Sequence, residues 1–111
     1  MTASKIPDFT VEELKKMSED ELKDLGGRVV HKCIISELDW EPDKAIPSAA
    51  ECVTAVLDKF RNHPEHAQRF VRLTMAWIDL SSGGTTPRED IVQNADALTM
   101  EYIQSHKGTL H

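Results

Sequence analysis

The chain predicts an all-α fold: a compact bundle of four longer helices with a short N-terminal one. Three observations support this. Helix-start motifs recur along the chain, apolar residues recur at helical spacing, and only 5% of residues are aromatic. A core so poor in aromatic rings is aliphatic, which suits packed helices better than an aromatic-rich β sandwich. No stretch alternates as a half-buried strand does, and no internal repeat or low-complexity segment is visible.

The first helix is expected near 10–16. Thr10 is followed three residues on by Glu13, the S/T-x-x-E capping box, and Phe9 with Leu14 has the spacing of a hydrophobic staple. The second is expected over 19–38, with Ser18–Glu21 as the box and Met17–Leu22 as the staple. Gly26 and Gly27 conflict with it, since each costs about 1 kcal/mol in a helix relative to Ala. Either the helix breaks there, or another helix crosses so closely that no side chain fits.

"DWEPDKAIP" (39–47) holds two prolines and four charges and is expected to be a loop. Ser48–Glu51 opens a helix over 48–62, whose stripe is Ala49, Cys52, Val53, Val56, Leu57 and Phe60. In "RNHPEHAQR" (61–69), Pro64 fits a first helical position, where its missing N–H costs nothing. His63 then falls at or just before the N-cap, and Glu65 favours the positive end of the helix dipole. The helix over 64–80 shows the stripe Ala67, Phe70, Val71, Thr74, Trp77 and Ile78. The junction with its predecessor is short enough to demand a sharp corner. "SSGG" (81–84) ends it, because glycine accepts the left-handed cap. Thr86–Glu89, with Pro87 between, opens the last helix over 87–105, with Gly108 beyond its end. Its expected stripe is Ile91, Ala95, Leu98 and Tyr102, widened by Val92 and Ile103. Met17, Met75 and Met100 are expected to fill the core.

With 111 residues the chain fits one domain, 1–111, with 1–8 and 106–111 as flexible ends. Cys33 and Cys52 lie on apolar stripes and read as buried thiols of a reducing compartment rather than a disulfide framework. No apolar leader follows the first Met and no apolar run has a membrane span's length, so the expected location is cytoplasmic.

The net charge of −6 disfavours indiscriminate binding to nucleic acid or anionic membrane. The charge is polarised. Segments 8–24 and 37–43 each carry −4, whereas 58–72 carries +2. His66, Arg69 and Arg72 are expected along one exposed face, there to pair with the chain's own acidic first helices or with a partner's acidic groups. Trp40 stands in the acidic loop with Glu41 and Asp43. It either folds back as a lid over the bundle end or stands out as an interface anchor. His63 and His66 are too few for a zinc site without further ligands, and no HExxH, CxxC, GxSxG or phosphate-cradling loop is present.

The function expected is therefore a protein-binding module without enzymatic activity or cofactor, of the kind formed by small acidic helical inhibitors, adaptors and phage or bacterial accessory proteins. Trp40, Glu41, Asp43, Arg69 and Arg72 are its candidate contact residues, and its partner is another protein. An acidic nucleic-acid mimic, or a regulator of a nucleic-acid enzyme, is the alternative. A small-ligand or metal-binding bundle is weaker still. Leu73 and Leu80 extend the face of Trp77, which leaves homodimerisation open.

Overall fold

Side-chain acceptors at the helix starts decide where this chain turns helical. The computed structural model describes residues 7–107, and all their regular secondary structure is helical. The elements are α1 (Val11–Lys16), α2 (Glu19–Glu37), α3 (Ala49–Lys59), α4 (Pro64–Ser81) and α5 (Arg88–Lys107). This is the expected architecture of four longer helices and a short first one. No helix among the described residues is long and apolar enough to cross a membrane.

Reciprocal capping boxes form at Thr10–Glu13, Ser18–Glu21 and Ser48–Glu51. The fourth expected box is drawn elsewhere. The Pro87 carbonyl accepts from the Ile91 N–H and opens α5 one residue late. The Thr86 hydroxyl donates to Asp79 Oδ1 at 2.7 Å, and Glu89 pairs with Lys15 at 3.1 Å. Helix α3 also stops early, at Lys59 rather than 62. Residues 60–63 make the corner, where the His63 N–H donates to the Phe60 carbonyl and His63 becomes the N-cap ahead of Pro64.

Helix α2 runs unbroken through Gly26 and Gly27. A Cβ on Gly26 would lie 2.6 Å from Trp77 Cβ, so the close crossing of α4 is the reason for this glycine. Helix α4 ends in a Schellman motif. The Gly83 N–H donates to the Leu80 carbonyl and the Gly84 N–H to that of Asp79, with Gly83 left-handed at φ +78°. Asp39 takes the same left-handed region (φ +53°) after α2, and turns Trp40 back towards it.

Helix α4 is the shared wall of the bundle, packing against α2, α3 and α5, while α1 leans on α5. One core cluster joins Val30, Cys33 and Ile34 of α2 to Val56 of α3, Val71 of α4 and Ala95 of α5. A second joins Phe9, Leu14 and Leu22 to Leu73, Ala76 and Ile91. Both staple pairs belong to the second cluster, with Phe9, Leu14 and Leu22 as buried members and Met17 packed against it.

Three expectations about burial need correction. Leu98, read as part of the α5 core stripe, is 40% exposed, and Thr99 takes its place at 2%, its hydroxyl donating to the Ala95 carbonyl. Met100 is 53% exposed and fills no core, whereas Met17 and Met75 pack against it. Ala49 is exposed rather than inward. Of the ends expected to be flexible, 1–6 and 108–111 lie outside the described residues. Asp8 is held in place, and His106 belongs to α5 with its ring 4.0 Å from that of Tyr102.

Candidate functional site

Arg69 and Arg72 turn inward on the chain's own acids. Arg69 Nε lies 2.7 Å from Asp8 Oδ1. Arg72 grips Asp96 with two parallel bonds of 2.8 Å and reaches the Asp8 carbonyl at 3.0 Å. Their side chains are only 23% and 15% exposed. The hydrogen bond to Asp96 raises the Arg72 pKa further, outweighing burial. The pairing is thus intramolecular, with the partners ahead of α1 and on α5. His66 is half-buried, its ring edge-on to Phe60 at 6.4 Å and its Nδ1 without a hydrogen-bond partner among the described residues, so it is not part of an exposed basic face. His63 and His66 have ring centres 5.7 Å apart. Among the described residues no three His, Cys, Asp or Glu side chains gather as a metal site does.

Trp40 folds back as a lid. Its Nε1 donates to the Ala45 carbonyl at 2.9 Å, and its ring stacks on His31 at 5.7 Å while packing against the first core cluster. His31 in turn meets Trp77 edge-on at 6.4 Å. Glu41 and Asp43 stay exposed in the same loop. The structure therefore joins Arg69 and Arg72 through Asp8, and places Trp40 in a separate ring cluster.

Both cysteines are buried and outside any disulfide. Burial pushes the Cys33 thiol up to about 11 and raises Cys52 as well, which suppresses the reactive thiolate.

The feature that sequence reasoning missed is a groove of about 460 Å³ between α3 and α5. These two helices pack on α4 from either side and barely touch each other. Met75 and Ile78 of α4 form the floor. Val53 and Leu57 stand on the α3 wall, Ile91 and Leu98 on the α5 wall. One end is bounded by Asp79, Ser82 and Thr86 at the turn after α4. Beyond the other end the Tyr102 hydroxyl bridges to Asp58 of α3. Burial and that carboxylate push the phenol up to about 12, so it stays a donor. Among the described residues, Asp79 is the only charged one lining the groove. Exposed Asp90 and Glu101 stand one turn to either side of Asn94 and Leu98 on α5.

The groove is lined mainly by aliphatic side chains, with the hydrogen-bonded pair Thr86–Asp79 at one end. Its chemistry is the removal of aliphatic surface from water, worth about 25 cal/mol per Å². The only sequence signal for it was the pair Leu98–Thr99, since both fall at helical spacing from Ile91 and Ala95.

No protein-family model matches the chain, and neither the curated proteins nor the solved structures include a significant match to it.

Proposed function

We propose that this chain is a protein-binding module, and that the α3–α5 groove receives one amphipathic helix of a partner protein whose polar flanks are basic. The observation behind this reading is the groove itself. Two helices flank a third and leave its apolar floor for another chain to cover. A helix laid between them would pack on α4 much as α3 and α5 do, side chains entering the spaces between turns. The acidic edge selects its charge. Asp79 bounds one end, Asp90 and Glu101 outnumber Arg88 along the α5 wall, and the whole chain is at −6. Electrostatic complementarity of this kind speeds encounter and rejects acidic competitors.

The test uses an isotope-labelled chain and a designed amphipathic peptide of about four turns. The peptide has leucines along one face and lysines beside them. Amide shifts confined to residues lining the groove are expected, and Leu98→Lys is expected to weaken binding about tenfold or more. Leu98 is exposed, so that change leaves the fold intact. Equal binding of a peptide with glutamate flanks would overturn the reading. So would shifts scattered over the acidic surface, or a groove that takes a medium-chain fatty acid but no peptide.

A further inference from the structure

Asp79 has a feature the bundle does not explain. Its side chain borders an aliphatic groove and is held rigidly. Its Oδ1 accepts from the Thr86 hydroxyl, and its backbone carbonyl accepts from the Gly84 N–H at 2.8 Å and from the Ser82 hydroxyl at 3.1 Å. Its other carboxylate oxygen, Oδ2, is buried and has no hydrogen-bond partner among the described residues. No ion pair among those residues reaches Asp79, although four other acids find a Lys or Arg.

A buried charged oxygen without a donor is destabilising, and native chains keep few of them. The Thr86 bond needs only a neutral acceptor, which an Asn supplies without the desolvation cost of a charge. A carboxylate is thus more than the Thr86 bond requires, and a cation would supply the partner that Oδ2 lacks. Asp79 borders the groove, which is the side from which a cation would approach it.

We infer that Asp79 is the specificity-determining residue of the groove, receiving a lysine or arginine that the partner helix carries within its apolar face. This rests on the groove being a helix-docking site and adds which helices it accepts. A basic side chain suits the task because its aliphatic stem packs along apolar walls while its tip reaches the acid. A partner helix with an uninterrupted aliphatic face leaves Oδ2 unpaired and binds less well.

The experiment scans that designed peptide, replacing each leucine of its apolar face in turn by lysine or by norleucine. Affinities are measured by fluorescence anisotropy for the wild type and for Asp79→Asn. At one position the lysine peptide is expected to bind the wild type about tenfold tighter than its norleucine counterpart. Asp79→Asn keeps the Thr86 bond and is expected to abolish that preference, leaving affinity for the all-leucine peptide unchanged. If Asp79→Asn does not fold, Asp79→Ser serves in its place, since its hydroxyl still accepts. No lysine preference at any position, or one that persists in the variants, overturns the role of Asp79 alone. Failure of every peptide, the all-leucine one included, overturns the docking site and this inference together.

Discussion

Adjacent glycines at the α2–α4 crossing are expected to respond oppositely to alanine. A Cβ at Gly26 would sit 2.6 Å from Trp77 Cβ and 2.8 Å from its Cγ. Trp77 Cβ is fixed to the backbone of α4, so a rotamer change moves Cγ but not this nearest atom, and the two helices must separate. Overpacking of a closed core costs about 1–3 kcal/mol, and the upper part of that range applies here. Alanine returns about 1 kcal/mol of helix propensity, which leaves a net loss of about 1–2 kcal/mol. At Gly27 the nearest atom is the indole Nε1 at 3.4 Å, an ordinary contact at the ring edge. Gly27→Ala therefore keeps most of the propensity gain, about 0.5–1 kcal/mol. For 111 residues, 1 kcal/mol moves the Tm by about 4 °C. Calorimetry is expected to show a fall of roughly 4–8 °C for Gly26→Ala and a rise of roughly 2–4 °C for Gly27→Ala. A Gly26→Ala protein as stable as the wild type would refute the tight crossing.

Trp40→Ala is expected to lower stability by about 2 kcal/mol, since a half-buried ring loses its core contacts and its bond to Ala45. Urea unfolding measures this, and a change below about 0.5 kcal/mol would return Trp40 to the role of an exposed anchor. The Cys33 thiol predicts alkaline weakening. Its folded pKa of about 11 lies above an ordinary value near 9. The folded state thus holds its proton longer than the unfolded one, and stability is complete below pH 9 and lost as pH rises from there through 11. The stability difference between wild type and Cys33→Ala, followed by urea midpoints from pH 8 to 11, is expected to shrink above pH 9. A constant difference contradicts the buried-thiol account.

Helix positions were legible because their signals are local. Three of the four expected boxes formed as read, each needing only residues three apart. The fourth failed because Thr86 found Asp79 seven residues back, a partner that only the folded turn supplies. The α5 register was ambiguous for a similar reason. Leu98 and Thr99 both continue the spacing from Ile91 and Ala95, and hydrophobicity favoured the residue that the structure leaves in the groove wall. Gly26 raised the right question, but its answer lay in Trp77, 51 positions away. The arginine pair was visible as charge, yet its partner Asp8 stands 64 residues from Arg72. The groove depends on how far α3 and α5 stand apart across α4, a distance that no sequence window contains.

The place of α4 also sets an order of events during synthesis. Its inner faces serve α2 and α3, which precede it, and α5, which follows it. Until the 20 residues of α5 have been added, roughly 1–4 s of elongation, no α5 exists to cover Leu73 and Ala76. A message truncated before codon 88 yields a three-sided bundle whose exposed wall invites clearance rather than function.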